Sequence, residues 1–265
     1  MTHLYVLGSK TYNLKSENPQ LLQMLDKLLP KFDKKSSKDG EPEIIDLDGP
    51  LTIRGLDETL WAKDNPALAL SSILDRVLLD HSGYLWIDAS ALVMPNGQLA
   101  LISGPSHSGK TTLSFSLALA HGWKILAEDI VLIDIESRRI APFARPLSLR
   151  PDTKGKIKTA TGHQIEDLHF NGWTFNQSLC CLEPKPAKFA LAITLSVTDA
   201  NSNSALEMTE LTPAEYVRRL LTHSNAVRLE KGVDILTDSA QGTCYLLAGG
   251  VLPDRLETVL RLSGC

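Results

Sequence analysis

The sequence predicts an α/β fold with a mixed sheet around one buried helix, and three observations support this prediction. Strand-like and helix-like segments alternate along most of the 265 residues. An Asn-Gly pair at residue 96 is a hairpin signal between two strand-like segments. The second of these segments runs directly into a glycine-rich loop, and a helix-like segment follows. A strand fed by a hairpin is antiparallel to the strand before it, whereas a doubly wound fold feeds that strand through a crossover helix.

Residues 1–62 are predicted to form a small α/β N-terminal lobe ahead of a core domain at residues 63–265. The apolar run Leu4–Leu7 indicates a short strand. An Asn-Pro pair at residue 18 suits the start of a helix whose leucines share one face. A polar stretch then indicates a loop, and Ile44–Leu47 indicates a second strand.

The core domain opens with a second Asn-Pro helix start at residue 65, and this helix is predicted to end at the next glycine. The two strands of the hairpin follow, at residues 84–94 and 98–103. Beyond the glycine-rich loop, the spacing predicts a helix over Lys110–His121 that Gly122 ends. Its apolar residues cover most of its circumference, so we expect it to be buried.

The rest of the core domain continues this alternation of strands and helices. Predicted in chain order are a strand continuing through residues 123–135, a return strand after the turn at 136–139, a long strand at 188–198, a helix with a capping box formed by Thr212 and Glu215, a strand at 242–249, and a closing helix between Pro253 and Gly264.

Composition and charge exclude several classes of protein. The formal net charge is −4, and no block of basic residues is present that would follow a nucleic-acid backbone. None of the four cysteines lies in a CxxC or Cys/His zinc spacing, so we expect plain thiols. No signal-peptide pattern is visible, and no apolar run approaches the roughly 18 residues that span a bilayer. We therefore expect a cytoplasmic protein without a nucleic-acid or membrane partner.

The stretch "GPSHSGKTT" follows the hairpin and matches the phosphate-loop pattern G-x-x-x-x-G-K-[ST], or Walker A, at every fixed position. The strand before it and the helix after it are the context that this pattern requires. Glycine backbone angles and a helix N-terminus direct amides at an anion. We expect Lys110 to contact outer phosphates and Thr111 to bind Mg²⁺. The predicted nucleotide-binding residues are Gly104, Pro105, Ser106, His107, Ser108, Gly109, Lys110, Thr111 and Thr112.

Three side chains of the loop occupy its variable positions. His107 is either a catalytic histidine or a solvent-facing residue, and the sequence leaves both open. Ser106 and Ser108 are expected to act through their backbone amides, so their hydroxyl groups are not required.

An acidic pair, Glu128 and Asp129, ends the strand-like run after the loop helix. Such a position lies close to the outer phosphate in most units of this type. Magnesium needs oxygen ligands and a hydroxyl nucleophile needs a base, and two adjacent carboxylates can divide these roles. The alternative is a pair of ordinary acidic residues at an exposed strand end.

The run "GPSHSGKTTLSFSLALAHGWKILAEDIVLID" resembles the HPr kinase/phosphorylase superfamily, and "RPLSLRP" at residues 145–151 resembles a segment that follows in that family. The pattern is most similar to the shorter HPr-kinase-related proteins, some of which phosphorylate serine on lasso-peptide precursors. The resemblance is good over residues 80–155 and looser beyond. It implies a phosphate loop on a mixed sheet of HPr kinase and phosphoenolpyruvate carboxykinase type.

The sequence departs from this family at two positions. The first aspartate of the family's acidic pair, the base, is Glu128 here, which extends the carboxylate by one methylene. The family also has a histidine hydrogen-bonded to that base, and Asp88 occupies the matching place. A second carboxylate there would raise the pKa of one of the two acids rather than orient the base by donating a hydrogen bond. Because Asp88 occupies the place of that histidine, it is included among the predicted catalytic residues.

Arg145 and Arg150 are candidate substrate-binding residues, because guanidinium groups bind phosphate and carboxylate through paired contacts. They are equally explained as surface arginines around a proline-containing turn. The basic segment at residues 152–164 is predicted to be a mobile loop, either one that closes over substrate, as the resemblance suggests, or one that is merely solvated.

The resemblance implies an enzyme, a kinase (phosphotransferase) that uses ATP and Mg²⁺ and phosphorylates serine in a peptide or protein. Lys110 would bind the β- and γ-phosphates, Thr111 and Asp129 would hold Mg²⁺, and Glu128 would take the hydroxyl proton. Two alternatives stay open, a kinase for a small hydroxylated metabolite and a nucleotide-binding module without catalysis. The identity of the acceptor, the choice of ATP or GTP, any phosphorylase activity and homo-oligomer formation are equally open.

Overall fold

The structure is a computed structural model, and it describes residues 2–7, 10–17, 19, 22, 43–46, 50–52, 59–61, 83–142, 147–148, 151–163, 165, 173–174, 179–181, 183–196 and 204–264. The chain divides into two compact units, Met1–Ser82 with His169–Asn171, and Gly83–Leu168 with Gly172–Cys265. The domain boundary predicted after residue 62 stays a prediction, because residues 62–82 lie outside the described part.

Two small sheets are described in the first unit. Strand β1 (Thr2–Leu7) pairs antiparallel with β2 (Lys10–Lys15), and β2 pairs parallel with β3 (Glu43–Asp46). Strands β4 (Pro50–Thr52) and β5 (Thr59–Trp61) form an antiparallel pair. The two strands predicted from apolar runs correspond to β1 and β3, whereas the two predicted helices of residues 18–83 lie almost entirely outside the described residues.

The second unit is built on one large sheet. The strands of this sheet are β6 (Tyr84–Val93), β7 (Leu99–Ser103), β8 (Lys124–Ala127), β9 (Ile130–Asp134), β10 (Arg139–Ala141), β13 (Lys185–Pro186), β14 (Phe189–Leu195), β15 (Glu207–Leu211) and β16 (Thr243–Ala248). Strands β11 (Leu147–Ser148) and β12 (Trp173–Thr174) form a separate short pair. The order across the sheet is β13-β10-β9-β6-β7-β14-β16-β15, and β8 also pairs with β6.

The sheet is mixed, as the sequence predicts. β6 and β7 form the predicted antiparallel hairpin, with Ala91 opposite Leu101. The turn places Gly97 at φ +82°, a conformation that favours glycine. On its other side, β7 pairs parallel with β14, which in turn pairs parallel with β16. The carboxyl ends of these three parallel strands therefore share one edge of the sheet.

Five helices and a 3₁₀ turn are described in the second unit: α1 (Lys110–His121), α2 (Pro151–Thr161), α3 (Pro213–Leu221), the 3₁₀ turn Ala226–Arg228, α4 (Gly232–Ser239) and α5 (Leu252–Ser263). Residues of α1, α2 and α5 join one face of the sheet in a common apolar core, which includes Leu113, Ile157 and Val259. None of the described helices has both the length and the apolar character needed to cross a membrane.

The predicted helix ends are largely confirmed. Helix α1 has the predicted bounds, its residues 113–118 are buried, and Gly122 ends it at φ +71°. The capping box of α3 is present, because Thr212 Oγ1 accepts from the Glu215 amide while the Glu215 carboxylate accepts from the Thr212 amide at 2.9 Å. Gly264 ends α5 in a left-handed conformation.

The structure corrects the strand predicted to continue through residues 123–135. The chain breaks at Glu128 and Asp129 into β8 and β9, both of which pair antiparallel with β6. The break has a local cause, since Asp129 takes a left-handed backbone conformation at φ +68° that cannot continue a strand. The acidic pair therefore follows the end of β8, as predicted, and forms a kink before β9, where Glu128 is buried rather than exposed.

The prediction of a mobile loop at residues 152–164 is wrong, because residues 151–161 form helix α2. Pro151 suits the first position of a helix, and Gly162 ends it at φ +71°. Ile157 is fully buried in the core with α1 and α5, which stabilises a helix whose other residues are mostly polar. The polar composition obscured this single buried contact.

Candidate functional site

The glycine-rich loop joins β7 to α1 and contains three backbone conformations that L side chains rarely adopt. The φ angles are +142° at Gly104, +67° at His107 and +97° at Gly109. A Cβ at Gly104 would also lie 2.4 Å from the carbonyl oxygen of Leu195 at the end of β14. Glycine at this position is therefore required by backbone angle and by the close approach of a neighbouring strand.

The N-terminus of α1 faces this loop. Gly109 is the N-cap, no side chain of the described residues caps the helix, and its first turn contains no acidic residue. The first intrahelical hydrogen bond runs from the Leu113 amide to the Gly109 carbonyl, at 3.0 Å. Amides before this bond have no partner within the helix, and with the helix dipole they favour an anion.

Lys110, the first residue of α1, is held over the loop although it is only 8% exposed. Its ammonium group donates to the carbonyl oxygens of Gly104 at 2.7 Å and Pro105 at 3.3 Å. It also forms an ion pair with Asp88, with Nζ 3.0 Å from Oδ1. The cation predicted to contact outer phosphates therefore lies within the curve of the loop.

Asp88 reaches this lysine because of its position on β6. Ala89 is opposite Ser103, the last residue of β7, so Asp88 lies just beyond the level at which the loop begins. Its ion-pair partner is Lys110. The hydrogen bond to the base that the family resemblance suggested comes from another residue of the same strand.

That residue is Ser90, which the sequence analysis missed. Its hydroxyl donates to Glu128 Oε1 at 3.1 Å, and both side chains are buried, with Glu128 only 1% exposed. A hydrogen bond to a carboxylate favours its ionised form and fixes its orientation. Ser90 could have been found by strand alternation, because it lies two residues after Asp88 and thus on the same face.

Asp129 lies beside Glu128 at the kink between β8 and β9. Its carbonyl oxygen accepts from the Ala89 amide at 3.3 Å, which ties the left-handed residue to β6. Its side chain is half-buried, whereas that of Glu128 is buried. Non-glycine residues in left-handed conformations are uncommon and concentrate at functional sites, because they persist only where the surroundings hold them.

The remaining predicted loop residues differ in exposure. Ser106 and His107 are exposed, and Thr111 and Thr112 are half-buried at the start of α1. Ser108 is buried, and within the described part of the chain its hydroxyl has no hydrogen-bond partner. The exposure of His107 favours the solvent-facing interpretation over a catalytic one.

A second missed residue is Arg255, which links α5 to the phosphate loop. It is only 6% exposed, and it donates from Nη1 to the Ser108 carbonyl at 2.8 Å and from Nε to the Gly249 carbonyl at 2.9 Å. Burial lowers the pKa of its guanidinium group from the usual range. No sequence motif marks this arginine, because its contacts join segments far apart in the chain. Arg145 and Arg150 lie outside the described residues.

Comparisons with known proteins find similar solved structures but no matching family. No family model matches the chain, and no curated protein matches it. Among solved structures, the chain is similar to the HPr(Ser) kinase/phosphatase from Coxiella burnetii, with 14% identity and a TM-score of 0.30 over 67% of this chain and 95% of that one.

The residues of the site fit the phosphates of a nucleotide. The loop presents uncapped helix amides, a lysine ammonium and the unpaired Ser108 hydroxyl, and a Cβ would fill the space at Gly104. Among the described residues, no cluster of three or more His, Cys, Asp or Glu side chains is arranged to bind a metal. Mg²⁺ commonly binds through one or two carboxylates and substrate phosphates, so Thr111 and Asp129 suit a metal that arrives with a nucleotide.

Proposed function

We propose that this protein is an ATP- and Mg²⁺-dependent kinase that phosphorylates a hydroxyl group, namely that of serine in a peptide or protein. The observation that supports this most directly is the arrangement of strand β6. Asp88 and Ser90, two residues apart on one face, contact Lys110 and Glu128 respectively. One strand therefore contacts both the Lys110 ammonium group and the buried Glu128 carboxylate, which supports the roles proposed for them.

Each residue has a distinct role in this proposal. ATP supplies the phosphoryl group, and Mg²⁺ neutralises the charge that develops on it. Lys110 and the amides of the loop hold the outer phosphates in place. Glu128, oriented by Ser90, accepts the proton of the acceptor hydroxyl. Thr111 and Asp129 supply the oxygen atoms that the metal needs.

The proposal is tested by transfer of labelled phosphate from ATP to a pool of serine- and threonine-containing peptides, with free serine and sugars assayed alongside. Lys110→Ala and Glu128→Gln should each lower transfer by roughly 100-fold or more, because phosphate binding and general-base catalysis are lost. The matched controls Lys188→Ala and Glu136→Gln change exposed residues away from the site and should retain full activity.

Three outcomes of this assay would decide the question. Transfer by Lys110→Ala near the wild-type level would contradict the proposal. Transfer to free serine or sugars alone would identify a kinase for small metabolites. Nucleotide binding without transfer to any acceptor would identify a binding module.

The ion pair between Lys110 and Asp88 favours that last candidate, since Asp88 competes with phosphate for the ammonium group. The variant Asp88→Asn distinguishes a kinase from a binding module, because it removes this competition for Lys110 and leaves Glu128 in place. A kinase should still show measurable transfer in this variant, at an altered rate, because Lys110 has lost its ion pair. A binding module should bind nucleotide more tightly and still transfer none.

A further inference from the structure

A cavity of about 630 Å³ opens beside the phosphate loop. This volume is within the range typical of small-ligand sites. It lies at the carboxyl ends of β14 and β7, the edge where ligands bind in open α/β sheets. Its walls are Pro105 of the loop, the end of β14, Leu246 of β16, and the last turn of α3 with the residues that follow it.

The cavity is directly connected to the site already described. His223, which lines it, accepts a hydrogen bond through its carbonyl oxygen from the Asp88 amide at 2.8 Å. Asp88 in turn forms the ion pair with Lys110. A molecule in this cavity would therefore lie next to the lysine and the loop that hold the outer phosphates.

The ionisable residues that line the cavity within the described part of the chain are all basic. They are Arg218, Arg219 and His223, and no acidic side chain of the described residues joins them. Among the described residues, neither arginine forms an ion pair. The Nε atom of Arg219 is buried and has no hydrogen-bond partner among the described residues. The guanidinium charge of Arg219 is therefore not compensated among the described residues, and an anion at the part of this side chain that lines the cavity would compensate it.

The hydroxyl groups of the wall are already engaged within the protein. Thr194 Oγ1 lies 3.2 Å from Ser103 Oγ, and Thr222 Oγ1 donates to the Arg219 carbonyl at 2.7 Å. Ser196 Oγ donates to the Leu247 carbonyl at 3.4 Å. The donors that remain for a ligand are therefore chiefly the guanidinium groups.

The position of the arginines at the end of α3 offers a simpler explanation for their charge. Cations in the last turn of a helix interact favourably with its dipole. They also attract Glu215 near the start of the same helix, although that carboxylate owes its lowered pKa mainly to hydrogen bonds from Thr212. Neither effect supplies a hydrogen-bond acceptor for Arg219 Nε among the described residues.

From these contacts we infer that the cavity binds the acceptor, and that the acceptor carries a carboxylate close to the hydroxyl that is phosphorylated. This inference rests on the proposed kinase function. Guanidinium groups bind carboxylates through paired, charge-assisted hydrogen bonds. Leu195, Leu246 and Pro105 add apolar surface for the uncharged part of the ligand. The expected acceptor is an acidic peptide, with aspartate or glutamate beside the serine.

The test compares two peptides that differ only in charge, one with Glu-Ser-Glu and the other with Gln-Ser-Gln at its centre. Each is titrated calorimetrically into the protein with a non-hydrolysable ATP analogue and Mg²⁺, and each is assayed separately for phosphorylation. The acidic peptide should bind more tightly to the wild type. Arg219→Gln should weaken that binding roughly tenfold or more and remove the preference, because a charge-assisted hydrogen bond is lost.

Further variants separate charge from folding. Arg219→Lys keeps the charge and should retain part of the preference, while Arg218→Gln changes an exposed residue and should also weaken acidic-peptide binding. Arg261→Gln, an exposed arginine of α5, is the matched control and should change nothing. Thermal unfolding of each variant confirms that it is folded, and affinity for the ATP analogue should stay constant throughout.

The outcomes distinguish failure of this inference from failure of the proposed function. If the acidic peptide binds preferentially but no phosphate moves, the cavity assignment holds and the kinase proposal fails. If both peptides bind equally to wild type and Arg219→Gln, the cavity assignment is overturned whether or not transfer occurs. A loss of nucleotide affinity alone in Arg219→Gln also overturns it, because the cavity then serves the nucleotide. If a free hydroxy acid binds more tightly than either peptide, the assignment of a carboxylate-binding cavity holds, but the acceptor is a small hydroxy acid and not a peptide.

Discussion

Asp88 and Ser90, two residues apart on one strand, each fix the position of a charged side chain. Asp88 holds the cation of the phosphate loop and Ser90 holds the buried carboxylate of Glu128. Because side chains at positions i and i+2 of a strand point to the same face, both contacts follow from the register of β6 with its neighbours. A shift of this register by one residue would turn both side chains away from the loop.

Replacing Ser90 by alanine tests whether it positions the base. Without the donated hydrogen bond, the ionised form of Glu128 is less favoured, so the acidic limb of the pH–rate profile should move to higher pH. We expect kcat to fall by roughly tenfold while the KM for ATP stays unchanged, since the loss corresponds to one hydrogen bond to a charged group. Ser90→Thr, which keeps the hydroxyl, should restore the profile. An unchanged profile in Ser90→Ala would leave Ser90 with a packing role only.

Gly104 and Gly97 form a natural comparison, because both have φ angles in the left-handed half of the backbone map. At Gly97 an added Cβ would meet nothing within 4 Å, whereas at Gly104 it would meet the Leu195 carbonyl oxygen at 2.4 Å. Gly97→Ala should therefore cost about 1 kcal/mol of unfolding free energy, from backbone strain alone. Gly104→Ala should cost more and also weaken nucleotide binding. Denaturant unfolding measures the stability and calorimetric titration with ATP measures the binding. An equal loss of unfolding free energy at the two positions would contradict the close-approach explanation.

At the scale of elements, helix α2 shows how a polar segment can be structured by one contact. Gly155 lies on its exposed side, and an added Cβ there would meet nothing within 4 Å. Gly155→Ala should therefore raise the unfolding free energy by roughly 0.5–1 kcal/mol, because alanine favours a helix and reduces the entropy of the unfolded chain. Gly83→Ala, at a turn with equally open surroundings, is the control. No gain at residue 155 would indicate that the segment is not helical in solution.

Helix α5 contributes to the phosphate loop through Arg255 alone among its buried polar side chains in the described structure. Arg255→Met keeps the length of the side chain and removes both hydrogen bonds to the carbonyl oxygens of Ser108 and Gly249. We expect a loss of roughly 1–3 kcal/mol in stability, since buried carbonyls lose their donors. Affinity for ATP should fall as well, because Arg255 no longer holds the loop through the Ser108 carbonyl. Arg261→Met on the exposed side of α5 should leave both measurements at the wild-type values.

For the whole molecule, the alkaline limit of stability depends in part on Cys244 in β16. Burial raises the pKa of this thiol from its ordinary value of 9.0 to about 11. The unfolded chain therefore loses this proton first as the pH rises. The stability that the neutral thiol contributes is complete below pH 9 and is lost as the pH rises towards about 11. Unfolding by guanidinium at several pH values, compared with Cys244→Ala, should show the two free energies converging over this interval; a constant difference would refute the assignment.

How much the sequence predicts depends on how local the determining contacts are. The hairpin, helix α1, the capping box of α3 and the fixed positions of the phosphate loop all follow from residues close together in the chain. Helix α2 was missed because a single buried isoleucine outweighs its polar composition. Arg255 was missed because its partner lies 147 residues away in the chain and no local pattern indicates such a contact. The partner of Ser90 lies 38 residues away, but the alternation of side chains along β6 already placed Ser90 on the face of Asp88.

The parallel pairing of β7 with β14, together with the contact from Arg255, sets the order in which this site can be completed. When the loop itself has been synthesised, neither the strand that fixes Gly104 nor the arginine that holds Ser108 yet exists, since they come from residues 189–195 and 255. An emerging chain therefore carries the glycine-rich sequence long before the loop has its final shape. The nucleotide binding proposed above would become available only after residue 255 has been synthesised and Arg255 contacts the loop.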